Sequence, residues 1–385
     1  MEEKQITYSF PIRSVLEDDY LVSNFWKCLY TSAEESLQYW VILPNHVKPT
    51  KVTPIEISNV NLVNIGQYIS IDDSPYLEIE VVTEYCEYEI NASDWLWKKL
   101  AIIGEAVLDF REITGESTGK YLDVLTIKKT PGGEEIISRF TTIKDHDKNK
   151  NGANLFCIKA TCFSKDYENL AGNIFHIVTN WDLIYKSDWQ MAENILPFEY
   201  DFTEAIRFYI PVSWEIKYET KNTNTFSRFV FAHPIGSFNR GVINAFFYSI
   251  KETGNVATIY EKSFNRMSKL TTDLTELTKI RSDNPAIKEL WTLNGTIEYK
   301  SENYAACLFI YIIKTLNGWY YFESVGPKPN LQNYYFEINI RCIEIILQSF
   351  NNLNLDTVKE DDHIPPETVS PSVNKTLKNN WLIDQ

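Results

Sequence analysis

Residues 317–350, NGWYYFESVGPKPNLQNYYFEINIRCIEIILQSF, set the frame for the whole chain. Asn317-Gly318 precedes an aromatic run, Trp319 to Phe322, which predicts a strand. Pro327 and Pro329 close it, and Phe336, Ile340, Ile343 and Leu347, spaced 4-3-4, predict a helix. The same plan stands at residues 151–181, NGANLFCIKATCFSKDYENLAGNIFHIVTNW. There Asn151-Gly152 leads a strand from Leu155 to Phe163, and Leu170, Ile174, Ile177 and Trp181 repeat the 4-3-4 spacing. Asn151 to Asn317 is 166 residues, as is Leu170 to Phe336. A strand running into proline recurs 167 residues apart, at Leu43-Pro44 and Ile210-Pro211. Three landmarks at nearly one offset predict an internal duplication.

Working outward, each copy shows a half-buried strand (Tyr76 to Tyr88; Gly241 to Ile250) and then a helix. Asn91 or Ser93 caps a helix expected over Asp94 to Phe110, with Asp94 placed well for the helix dipole. In the second copy Met267, Leu270, Leu274 and Leu277 predict a helix over Thr258 to Leu277. A three-stranded meander follows in both. The first runs over Tyr121 to Ile127, Ile136 to Ile143 and Leu155 to Phe163. The second runs from Ala286 through a turn at Asn294-Gly295, then Ala305 to Thr315 and Trp319 to Ser324. Asn-Gly pairs between apolar runs favour type I′ turns. The expected organisation is an N-terminal extension (1–35), a first repeat (36–186), a connector (187–204), a second repeat (205–354) and a polar, disordered tail (355–385).

The chain has 385 residues, enough for two cores, with 44% apolar and 14% aromatic residues. Its net charge of −15 argues against nucleic acid and anionic membrane surfaces and leaves a protein partner as the expectation. With no basic-then-apolar leader and no long apolar window, the sequence reads as soluble and cytoplasmic. The six cysteines form no CxxC pair and read as buried thiols.

The order strand-Pro, strands, helix, meander, closing helix is clearest in FYIPVSWEIKYE (208–219), GVINAFFYSI (241–250) and GTIEYKSENYAACLFIYIIKTLNGWYYFESVGP (295–327). It resembles the PsbP-like fold, shared by PsbP, Mog and DcrB proteins and by the Eag-type chaperones of type VI secretion effectors. The resemblance implies an α+β protein: two tandem α/β/α sandwiches, each with an antiparallel sheet and a long C-terminal helix. It further implies a bacterial, non-enzymatic adaptor or chaperone, whose partner is an apolar N-terminal segment of a secretion-system effector. A structural subunit or interaction module of a larger assembly, or an enzyme of unrecognised type, are the other two classes.

No HExxH, zinc spacing, GxSxG, Walker loop or GxGxxG occurs, and no catalytic, cofactor or metal residue is assigned. His176, beside Ile174 and Ile177, reads as structural. Asp147-x-Asn149-x-Asn151-Gly152 matches the first half of an EF-hand loop but has Ile158 at the position of the bidentate Glu, so a solvated hairpin is expected. Asp72-Asp73 and Asp145/Asp147 read as solvated acids. Trp95 and Trp97, two apart on a helix, must face different sides, so one should reach the surface. Together with Trp214 and Trp319 they are the candidate partner-binding residues, since aromatics dominate binding hot spots.

Overall fold

The structure, a computed structural model, describes residues 7–353 apart from 53–60, 72–73, 116–118, 223–224, 237, 252–253, 265–270 and 300–303. The expected tail at 355–385, Met267, Leu270 and Asp72-Asp73 lie outside the described residues. The chain divides into two compact units, one reaching Ala192 and the other starting at Glu193.

In the first unit α1 (Asp18–Asn24) leads into β1 (Phe25–Tyr30), followed by β2 (Tyr39–Pro44), β3 (Val47–Pro49), β4 (Val63–Ser70) and β5 (Leu77–Cys86). Then come α2 (Ala92–Ile103), β6 (Ala106–Gly115), β7 (Gly119–Lys129), β8 (Glu135–His146), β9 (Ala153–Phe163), α3 (Tyr167–Thr179) and β10 (Trp181–Leu183). The main sheet is antiparallel in the order β3-β4-β5-β9-β8-β7-β6, and β1-β2-β10 form a small one.

The second unit holds β11 (Ile195–Asp201), β12 (Ala205–Pro211), β13 (Glu215–Asn222), β14 (Phe226–Ile235), β15 (Phe238–Ser249) and α4 (Val256–Phe264). It continues with β16 (Thr271–Thr272), β17 (Thr278–Ile280), β18 (Glu289–Tyr299), β19 (Tyr304–Lys314), β20 (Gly318–Pro327), α5 (Tyr335–Ser349) and β21 (Asn351–Asn352). Its main sheet runs β13-β14-β15-β20-β19-β18-β16, with β17 also on β18, and β11-β12-β21 form its small sheet. Both main sheets therefore follow one order of connection, as do both small ones.

Strand, not helix, makes up most of this protein, and the expected tandem α/β/α sandwich with a long C-terminal helix in each repeat is not what forms. The described residues build four sheets, and α3 and α5 have only 13 and 15 residues. No helix among them is long and apolar enough to cross a membrane. One helix ends early. Gly104 takes the left-handed conformation (φ 73°), and Glu105 N–H closes back on the Leu100 carbonyl, so α2 stops at Ile103 and Phe110 falls in a strand. In the second unit Leu274 and Leu277 of the expected stripe lie outside any helix, and Leu274 is exposed.

Turns differ too. Asn294-Gly295 lies within β18, opposite Phe309 and Leu308. A Cβ on Gly295 would stand 2.8 Å from Leu274 Cδ2, so the glycine serves close packing rather than a turn. Neither Asn151-Gly152 nor Asn317-Gly318 has the positive φ values of a type I′ turn. The Thr315 hydroxyl instead accepts the Gly318 N–H and fixes the second corner.

The first core gathers the inward faces of β5 (Leu77, Ile79, Val81) and β9 (Phe156, Ile158, Ala160) with Tyr39 and Val41 of β2 and Leu170, Ile174 and Ile177 of α3. This face consequently carries α3 and the small sheet, while α2 packs on β7, β8 and β9 from the other side. On α5 the buried apolar face is Ile338, Cys342, Ile343, Ile345 and Ile346; of the expected stripe Ile343 is buried, while Phe336, Ile340 and Leu347 are only half-buried. Of residues 187–204, 187–192 fall in the first unit, and β11 pairs with β12 in the second. Similarly, part of the N-terminal extension is structural, since β1 completes the first small sheet.

Candidate functional site

Of the four tryptophans singled out by the sequence, three are interior. Trp95 is 0% exposed, Trp214 3% and Trp319 1%. Trp95 donates its indole N–H to Glu84 Oε2 at 2.6 Å, and Lys99 Nζ meets the same carboxylate at 2.6 Å. Trp214 stacks on His233 at 5.7 Å, and Trp319 belongs to a cluster with Phe246, Tyr248 and Tyr321. These rings hold their own units together and present no surface.

Trp97 is different. It points away from the interior on the outer side of α2, half-buried, and meets Phe110 of β6 edge-to-face with ring centroids 5.1 Å apart. Among the described residues strand β6 pairs with β7 alone and so ends the main sheet. A register shift between Val107 and Asp109 bulges Leu108 outward. Val107, Leu108 and Phe110 are 43%, 40% and 52% exposed. Together with Trp97 and exposed Ala101 they form an apolar corner beside an open row of strand hydrogen-bonding groups.

Charge frames this corner. Asp109 and Glu112 are exposed on β6, and Asp109 accepts the Phe110 N–H at 2.8 Å. Arg111 is taken up by Asp123 at 2.7 Å, which leaves the acids to set the sign of the edge. The sequence pointed to the helix through Trp97. It missed the strand beside it, because residues 106–110 were read as the end of that helix.

The remaining polar clusters are internal ties. Lys144 bonds Glu89 at 2.7 Å and the Ile90 carbonyl at 3.1 Å, while Glu89 also accepts the Ala192 N–H. Asp145 receives the Ser187 N–H on both oxygens, and burial raises its pKa to about 7. The EF-hand-like loop is likewise closed upon itself. Asp147 is buried and accepts from Asn149 N–H and Asn154, with Lys150 Nζ 3.5 Å away where a cation would sit. Among the described residues no group of three or more His, Cys, Asp or Glu is arranged to hold a metal. His176 is buried against Phe25 at 4.8 Å, and desolvation lowers its pKa to about 4.

No family model matches the chain, and no curated protein matches it. Among the solved structures similar to it in part are the following two. The crystal structure of LpqN, involved in cell envelope biogenesis of Mycobacterium tuberculosis, has 10% identity and a TM-score of 0.28, and the match covers 45% of this chain and 98% of that one. The apo structure of the immunity protein TplEi of T6SS from Pseudomonas aeruginosa has 10% identity and a TM-score of 0.23, over 84% of this chain and 97% of that one. At such scores neither carries an argument about fold or function, and the PsbP-like resemblance gains nothing from them.

Proposed function

We propose that the protein is a non-enzymatic protein-binding module, an adaptor or chaperone, that docks an extended segment of its partner along β6. The carrying observation is the edge itself: a ten-residue strand with one side unpaired among the described residues and exposed Val107, Leu108 and Phe110 beside Trp97. A segment added there gains backbone hydrogen bonds along the strand and apolar contact with Phe110 and its neighbour Trp97. The exposed Asp109 and Glu112, within a chain of net charge −15, favour lysine or arginine between the partner's apolar residues. An apolar N-terminal segment of a secretion-system effector, the client class implied by the resemblance, is the source we propose for that segment. The common order of connection in both halves supports an origin of the chain by tandem duplication.

The test is selection of displayed ten-residue peptides on the immobilised full chain. Peptides alternating apolar and basic residues are expected, with binding lost in Phe110→Lys. Selected peptides that bind Phe110→Lys unchanged would place the docking surface elsewhere and defeat this reading.

A further inference from the structure

On the opposite face of the first main sheet, the N-terminal segment crosses α3 and β8 in extended form without joining any sheet. Its residues Tyr8-Ser9-Phe10-Pro11-Ile12 are held almost wholly by side chains that address main-chain atoms. Glu168 accepts the Ser9 N–H at 3.0 Å and the Ser9 hydroxyl at 2.9 Å. Tyr167 donates its hydroxyl to the Ser9 carbonyl at 2.7 Å. Arg139 Nη2 donates to the Pro11 carbonyl at 2.7 Å, and Arg111 Nη1 to the Ile12 carbonyl at 3.2 Å. Phe10 lies on the Arg139 guanidinium, 4.3 Å from its carbon to the ring centre, with Phe175 behind at 5.0 Å. Tyr8 meets Tyr167 edge-to-face at 5.9 Å.

Of the receiving groups Asp123, Arg139 and Tyr167 are buried, Arg111 is half-buried and Glu168 is exposed. Asp123 and Arg139 are both 0% exposed and joined by two hydrogen bonds of 2.9 and 2.8 Å. Such a pair sits deep in a sheet at a cost of desolvation, and it contributes little stability on its own. Arg139 Nη1 is buried and meets no hydrogen-bond acceptor among the described residues, so the guanidinium has a donor to spare. Without the segment Nη2 would keep its bond to Asp123 and lose the one to the Pro11 carbonyl. What the groove reads is a peptide backbone with one aromatic side chain.

We propose that this groove, formed by Arg111, Asp123, Arg139, Tyr167, Glu168 and Phe175, is a second peptide-recognition site, and that residues 8–12 are its internal ligand. The partner it takes is an extended peptide of the same chemistry: a small hydroxyl residue, an aromatic ring for Arg139, then proline. Proline suits the third place because its carbonyl is the group contacted and its missing N–H is not asked for. Docking requires the protein's own segment to leave, so the segment sets the affinity that a partner must exceed. This site takes Arg111 from β6 but not the exposed apolar residues Val107, Leu108 and Phe110.

The experiment uses a fluorescent peptide with the sequence of residues 7–13, TYSFPIR, and anisotropy. The full chain lacking residues 1–13 is expected to bind it saturably and the unaltered chain at least about tenfold more weakly. Replacing the peptide's phenylalanine by alanine should weaken binding about tenfold, the loss of one cation–π contact and its buried ring. Where the truncated chain does not fold, the full-length Phe10→Ala variant should bind the peptide more tightly than the unaltered chain. No saturable binding to a folded truncated chain, or equal binding by both chains, overturns the proposal. So does a dimer of the unaltered chain that vanishes on truncation, since the occupant would then be a second copy's segment.

Discussion

Trp97 and Phe110 stand on different elements, α2 and β6, yet their rings meet edge-to-face at 5.1 Å on the outside of the first unit. Phe110 is 52% exposed, so the pair adds little to the interior. Phe110→Lys should change stability by no more than about 0.5 kcal/mol, as surface changes do, while abolishing the peptide binding described for β6. Thermal melting and anisotropy on one sample separate the two effects.

Beneath the same helix, Lys99 and Trp95 share the Glu84 carboxylate, each at 2.6 Å, in a wholly buried setting. Lys99→Met should lower stability by about 3–5 kcal/mol, because a buried carboxylate loses its cation. Glu84→Gln combined with Lys99→Met should recover much of that loss. Denaturant titration of the three variants decides it; additive losses would contradict the pairing.

Asn339 of α5 lies over two glycines on neighbouring strands. A Cβ on Gly241 would fall 1.5 Å from Asn339 Oδ1, and one on Gly326 2.6 Å from Nδ2. Gly241→Ala should therefore cost about 1–3 kcal/mol by overpacking, and the cost should shrink in an Asn339→Ala background. Chemical denaturation of the four members of this cycle measures the coupling.

Acid response in the first unit reflects two opposed groups. His176 has its folded pKa lowered to about 4 by burial, so the unfolded chain binds its proton first, and stability falls as pH drops from about 6.5 to 4. Asp145 has its folded pKa raised to about 7 by burial, so its contribution is full at low pH and is lost as pH rises from about 4 to 7. Between pH 4 and 6.5 the two slopes oppose each other. Asp145→Asn should expose the histidine's slope, up to about 1.4 kcal/mol per pH unit, and adding His176→Gln should flatten it again. Hydrogen exchange of β8 and α3 across this range reports the result.

Much of the pattern was legible along the chain because it is local. The aromatic run Trp319 to Phe322 is a strand, and Leu170, Ile174 and Ile177 line the buried side of α3. Element ends were less legible. One left-handed glycine at 104 turned an expected helix into α2 plus β6, and that strand carries most of the proposed docking corner.

The sequence by itself determined where apolar residues recur, hence the sites of most strands and of α3 and α5, because periodicity is a property of neighbours in the chain. It could not determine which side of an aromatic residue ends up covered. Trp95 and Trp97 are alike in sequence, but Glu84 and Lys99 close over one, and the free edge of the sheet leaves the other open. Nor could it bring Phe10 to Arg139, 129 positions away, or Arg139 to Asp123. Those decisions belong to tertiary structure, because burial and ion pairing depend on which distant strands become neighbours.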